Sequence, residues 1–214
     1  MTCKHCCGAE MLFDLKGAEK EMRKFRKRGP GRATRMLIEE MINFGVKEKT
    51  LLDIGGGVGA IQWAFLKNHG SKTIDVDASE GYLNVASRYA IDSGYEQKCQ
   101  FIHGDFVDRY GDIAIADYVT LDKVVCCYPD YQSLLDHATE KCKEGIILVY
   151  PLGGFISKTI AQFSKLYFYI KRNAFRTYIH SPKEIERFVC AKGFKQVSKK
   201  MSFPWHVQTY KRTS

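Results

Sequence analysis

The segment Leu51-Leu52-Asp53-Ile54-Gly55-Gly56-Gly57-Val58-Gly59-Ala60 joins an apolar run, an acid and a glycine-rich turn. Gly55, Gly57 and Gly59 let the backbone pass close beneath a ligand where a Cβ would clash. A helix opening after the turn offers unpaired N–H groups to that ligand. Asp53 biases the ligand's charge, because a carboxylate there repels a diphosphate and attracts an ammonium or a sulfonium. The glycine spacing alone leaves a second reading open: Gly55, Gly57 and Ala60 also fit the dinucleotide fingerprint G-x-G-x-x-A.

Further along, Asp77-Ala78 lies 22 residues after Gly55, and its carboxylate can accept hydrogen bonds from two ribose hydroxyls. Helix capping beside Ser79 is the competing use of that acid. Two more acids stand after apolar runs, Asp105 in His103-Gly104-Asp105-Phe106 and Asp122 in Leu121-Asp122-Lys123. Cys126, Cys127 and Tyr128 follow Asp122 and are candidates to line the pocket of a second reactant. His180, with Arg176 close by, is the candidate general base, and packing ahead of a helix is its alternative use.

These residues need elements to hold them. Residues 14–28 read as a basic helix broken by Gly29-Pro30-Gly31, and a second helix runs over 33–44 with Leu37, Ile38, Met41 and Ile42 as its apolar stripe. Strands are predicted at 51–54, 72–77, 99–103, 117–121 and 145–150, with helices after the first and second and near 131–141 and 156–171. Ser79 is a plausible N-cap, and Ser181-Pro182-Lys183-Glu184 is a capping box with proline at the first helical position. Two last strands, 194–201 and 205–210, are joined by a short turn. Strands alternating with helices and closed by a hairpin-like pair predict an α/β fold. It is a Rossmann-like, doubly wound, seven-stranded sheet, mostly parallel with one antiparallel edge strand, carrying added N-terminal helices. In such folds ligands sit at the carboxyl ends of the strands, which is where the four acids fall.

Taken together, the glycine turn, Asp77, Gly104-Asp105-Phe106 and the segment from Leu121 resemble the class I S-adenosylmethionine (SAM) methyltransferases over residues 50–151. The resemblance implies SAM as cofactor, held by Asp53, Gly55, Gly57, Gly59, Asp77, Ala78, Asp105, Phe106 and Asp122. Asp105 would take the adenine amino group, Phe106 would flank the ring, and Asp122 would hold the methionine end. Leu121 to Pro129, Arg176 to His180 and Lys192-Gly193-Phe194 are similar to magnesium-protoporphyrin O-methyltransferases, although Cys127 stands where those enzymes have a histidine. Cys-Cys-Gly-Ala-Glu at positions 6–10 and the basic run from Arg23 look like a set of bacterial methyltransferase-domain proteins. The Asn/Asp-Pro-Pro-Tyr run of adenine and glutamine amide methyltransferases is missing, which argues against those acceptors.

Charge and composition bound the rest. From residue 20 to 35 eight basic side chains face one acid, which is +7 of the total net charge of +9. Such a segment is a solvated helix face, an RNA footprint or a steering element for an acidic small substrate. Cys3, Cys6 and Cys7 form a single C-x-x-C with no second pair, so no metal site is expected. No apolar run is long enough to span a membrane and no secretory signal opens the chain, so a cytoplasmic protein is expected. Residues 1–46 are taken as a cysteine-containing tail and basic helical lid, and 47–214 as the methyltransferase domain. The expected function is methyl transfer from SAM to a small, partly apolar, acidic acceptor, with His180, Tyr128 and Cys127 as candidate catalytic residues. The alternatives are an RNA methyltransferase and a non-catalytic SAM-binding protein.

Overall fold

The structure, a computed structural model, describes residues 12–153 and 176–213. The helix expected at 156–171, the apolar and aromatic residues Phe155, Phe163, Leu166, Tyr167, Phe168, Tyr169 and Phe175, and Cys3, Cys6 and Cys7 lie outside the described residues.

Helix α1 (Leu15–Arg28) starts at Asp14, whose side chain accepts from Gly17 N, and stops at Gly29. Helix α2 (Arg32–Asn43) follows and buries Leu37, Ile38 and Met41. Then come β1 (Thr50–Ile54), α3 (Ala60–Lys67), β2 (Lys72–Asp77), α4 (Glu80–Asp92), β3 (Cys99–His103) and β4 (Ala116–Asp122). The described chain continues with α5 (Tyr131–Glu140), β5 (Cys142–Pro151), α6 (Pro182–Ala191), β6 (Phe194–Ser202) and β7 (Trp205–Arg212). Ser79 caps α4 as expected, accepting from Tyr82 N. The capping box at α6 forms differently. Ser181 is the N-cap and Pro182 opens the helix, but no side-chain cap bond is made, and the N–H groups of Glu184 and Ile185 bond the Ser181 carbonyl instead.

The seven strands run in the order β3-β2-β1-β4-β5-β7-β6. β1 pairs in parallel with both β2 and β4, so the chain winds one way from β1 to β3 and the other from β4 to β5. The boundary between β1 and β4 is the switch point where such sheets open a ligand crevice. The antiparallel strand, β7, lies one place in from the edge, paired with β5 on one side and β6 on the other.

Strand alternation divides the core between the two faces of the sheet. Leu51 packs with Leu37, Met41, Trp63 and Phe65, whereas its neighbour Leu52 packs with Leu134, Ile146 and Ile185. The first set comes from α2 and α3, the second from α5, β5 and α6. A smaller cluster of Ala18, Met22, Val58, Tyr82 and Val85 docks α1 on α4 and on the glycine turn. Burying Ala18 and Met22 contributes roughly 2–3 kcal/mol to holding α1 there. No described helix is long and apolar enough to cross a membrane.

Candidate active site

At the carboxyl ends of β1, β2, β3 and β4 a cavity of about 830 Å³ opens beneath α1. Its floor is the glycine turn. Gly55 (φ +67°) and Gly59 (φ +78°) adopt backbone conformations that other residues resist. A Cβ on Gly55 would stand 2.5 Å from Val124 Cγ2, and one on Gly59 would meet the Trp63 ring at the same distance. Trp63 is fully buried and its indole N–H donates to the Val58 carbonyl at 2.7 Å, so the turn and the first turn of α3 are locked together.

Asp77, Asp105 and Asp122 all border the cavity, as do Gly55, Gly57, Ala78 and Phe106. Asp77 Oδ2 accepts from Gly57 N at 3.1 Å and its Oδ1 accepts from Ser79 N at 2.8 Å. The acid therefore ties the end of β2 to the glycine turn while bordering the cavity. Asp105 Oδ1 accepts from Val107 N and from the Tyr128 hydroxyl, the latter at 2.7 Å. Asp122 Oδ2 accepts from Thr34 Oγ1 at 2.6 Å, and Lys123 Nζ donates to both oxygens of Asp122 and to Thr34. Lys123 itself sits at φ +66°.

Asp53 occupies a different place from the one its sequence position suggested. It is fully buried, its Oδ1 accepts from Thr120 Oγ1, and it is not in the described wall of the cavity. Its other oxygen has no partner among the described residues. Burial pushes its carboxyl up to about 7, with nearby Asp122 and Asp77 adding to the rise. Asp75, equally buried, is held well above the usual carboxylate range by burial and by Asp77 and Asp53, although Gln62 Nε2 donates to it at 2.7 Å. Burial also raises Asp77. Three acids thus lie under and beside the turn, and burial makes the ionised form of each costly. Gly59 likewise lies behind the wall and serves the packing of Trp63.

Of the candidate catalytic residues, Cys127 and Tyr128 border the cavity and His180 does not. His180 is turned onto Tyr131, with ring centroids 4.3 Å apart, and its Nε2 donates to the Tyr128 carbonyl at 3.1 Å. Tyr178 N donates to the Cys126 carbonyl at 2.7 Å. Segment 176–180 therefore braces the loop that carries Cys127 and Tyr128. Burial lowers the His180 pKa below that of a free imidazole.

The basic helix forms one wall. Phe13, Gly17, Lys20, Glu21, Lys24 and Phe25 border the cavity from α1 and its approach. Glu21 is held by the Tyr82 hydroxyl at 2.8 Å. Arg26 pairs with Asp92 at 3.2 Å on the outer side. Lys20 and Lys24, one turn apart, are exposed and make no ion pair or hydrogen bond among the described residues. Thr34 went unnoticed in the sequence because its partner, Asp122, is 88 residues away. No group of three His, Cys, Asp or Glu side chains that could hold a metal occurs among the described residues.

The family of O-methyltransferase domains matches residues 2–195. A search of curated proteins finds no match. Among solved structures, magnesium protoporphyrin IX methyltransferase from Synechocystis PCC 6803, with bound SAH, superposes with a TM-score of 0.74 at 15% identity. The alignment covers 96% of this chain and 98% of that one. An O-methyltransferase family protein from Burkholderia thailandensis gives 0.68 at 14% identity, over 94% and 64% of the two chains. An O-methyltransferase family 2 protein from Planctomyces limnophilus, in complex with apigenin, gives 0.60 at 18% identity, over 87% and 63%.

Proposed function

This chain belongs to the O-methyltransferase domain family, and from that premise we propose that it transfers a methyl group from SAM to a small, partly apolar acceptor bearing an acidic group. The cofactor is S-adenosylmethionine. The residues present fit it: three carboxylates, which only accept hydrogen bonds when ionised, border a cradle that a Cβ at Gly55 would disrupt. SAM presents donors to such a wall in its ribose hydroxyls, adenine amino group and ammonium. When bound, it supplies an electrophilic methyl group on a sulfonium.

In this reading Asp77 accepts from the ribose hydroxyls, Asp105 from the adenine amino group beside Phe106, and Asp122 from the ammonium. Residues 1–46 act as a tail and a lid, and α1 supplies the wall facing the carboxylates. The observation that carries the acceptor class is that wall: Phe13 and Phe25 offer apolar surface, while Lys20 and Lys24 have no partner among the described residues. Methyl transfer is an in-line displacement, so positioning dominates. An acceptor carboxylate is already ionised at neutral pH and needs no base. Tyr128 and Cys127 border the acceptor's path, and His180 acts as a positioning residue through the Tyr128 carbonyl.

Calorimetry with SAM tests the cofactor half. Asp77→Ala should weaken binding by about 1–3 kcal/mol, and unchanged affinity would remove Asp77 from the site. Transfer of labelled methyl to aromatic carboxylic acids and to their amides tests the acceptor half. The acids should react, and a Lys20→Ala/Lys24→Ala double variant should raise their KM severalfold with little change in kcat. Equal turnover of the amides, or methylation of RNA in preference to both, would overturn this acceptor class.

A further inference from the structure

Two adjacent thiols stand at the cavity wall, one bordering the cavity and one behind it, and the proposed methyl transfer uses neither as a nucleophile. Cys126 and Cys127 lie in a short 3-10 turn, with their sulfurs 3.7 Å apart. Adjacent side chains in extended backbone point away from each other. Here the turn brings both back over the Lys123 carbonyl, at 3.2 Å and 3.5 Å. Cys127 borders the cavity, while Cys126 is buried behind it with 5% of its surface exposed. One sulfur is thus within reach of a ligand in the cavity, and the second stands directly behind the first. The Cys126 thiol lowers the pKa of Cys127 by hydrogen bonding to it, so Cys127 is the better nucleophile of the pair.

The geometry selects the ligand class. Zinc normally takes four protein ligands in structural sites and three in catalytic ones. No third His, Cys, Asp or Glu completes a metal cluster among the described residues. A linear two-coordinate ion needs its sulfurs on opposite sides, which adjacent residues in one turn cannot provide. A pyramidal trivalent centre that brings its own third substituent needs two sulfurs close together on the same side.

We propose that Cys126 and Cys127 form a two-thiol binding site for monosubstituted trivalent arsenicals, entered from the methyltransferase cavity. The step is a condensation. The Cys127 sulfur forms one As–S bond and the Cys126 sulfur a second, the two As–OH bonds of R–As(OH)2 break, and the two thiol protons leave with the hydroxides as water. Arsenic stays trivalent and no electron acceptor is needed. The third substituent then projects into the cavity beside Tyr128, where the acceptor would lie. Adduct formation does not depend on the methyltransferase reading, although inhibition of transfer does.

Phenylarsine oxide is the probe, used with the full chain carrying Cys3→Ser, Cys6→Ser and Cys7→Ser so that the N-terminal thiols cannot compete. Native mass spectrometry should show one arsenic per chain, removed by 2,3-dimercaptopropanol and resistant to an equal concentration of a monothiol. Adding Cys126→Ser or Cys127→Ser should weaken binding about 100-fold, because chelation by the second thiol is lost. Peptide mapping of the adduct on the otherwise wild-type chain should place the bridge on residues 126–127, which keeps the test independent of how the variants fold. Undiminished affinity of both single-cysteine variants, or a bridge mapped elsewhere, would overturn the site.

Discussion

On the glycine-turn side of the cavity, contacts are made by backbone and short side chains. Gly57 N lies on Asp77, Gly56 N on Asp75 and the Trp63 indole N–H on the Val58 carbonyl. On the α1 side, Lys20 and Lys24 project from a helix held by a small apolar cluster. The first arrangement fixes geometry before anything binds, which suits a cofactor of constant shape. The second offers long, adaptable reach and positive charge, which suits an acceptor chosen by charge and size. Stability should therefore be concentrated in one half and selectivity in the other.

The sharpest way to break that comparison is Gly59→Ala. The new Cβ would lie 2.5 Å from a fully buried tryptophan ring at φ +78°, so both backbone strain and overpacking oppose it. A loss of about 3 kcal/mol is expected in urea unfolding, together with loss of SAM binding. The Lys20→Ala/Lys24→Ala variant should unfold within about 0.5 kcal/mol of the wild type. A stable Gly59→Ala protein would show that the turn is softer than its contacts indicate.

A second test uses pH. Asp53 titrates at about 7 in the fold against 3.8 for the free carboxyl. The folded state therefore binds more protons than the unfolded state between those values. The associated stability is fully present below about pH 4 and is lost as pH rises through about 7. Asp53→Asn should flatten that fall by on the order of 1–2 kcal/mol between pH 5 and pH 8, read from urea midpoints with m held constant. An unchanged slope would move the effect to Asp75 and Asp77. Binding of a sulfonium cofactor should follow the opposite trend, strengthening as these acids ionise.

Thr34 links the halves, since its hydroxyl runs from α2 to the Asp122 carboxylate. Thr34→Val keeps the volume and removes the bond, with an expected cost of about 1 kcal/mol in SAM affinity. A purely structural Thr34 would lose the same amount in stability and nothing in binding.

These tests also separate what the sequence made legible from what it did not. The glycine turn, the order of strands and helices, the Ser79 cap and three of the four strand-end acids were readable, because each rests on local spacing or on the two-residue period of a strand. The strand that carries Asp53 is legible, but the burial of its side chain is not. It takes the Thr120 hydroxyl 67 residues away, a choice made by strand pairing. The place of β7 between β5 and β6 was hidden for the same reason, since a hairpin-like pair does not reveal which of its strands faces the sheet. The contacts of α1 with α4 and the partner of Thr34 likewise arise only when distant segments meet.

The smallest effect is expected at His180, where two roles give different pH curves. A general base would make kcat fall with decreasing pH as the imidazole protonates, and His180→Ala would remove that limb while lowering the rate by about 100-fold or more. The structure instead places the ring over Tyr131 and its Nε2 on the Tyr128 carbonyl, behind the described cavity wall. Losing one such bond at a half-buried residue costs about 1 kcal/mol. His180→Ala should therefore keep SAM affinity, lower kcat by about fivefold at most, and leave the shape of the pH–rate profile unchanged. Its stability effect has its own sign. The folded pKa lies below 6.5, so the neutral ring's contribution is present above that value and fades as pH falls through the folded pKa. The stability gap between wild type and variant should narrow in acid, and a gap that widened there would mean the ring is held in its charged form.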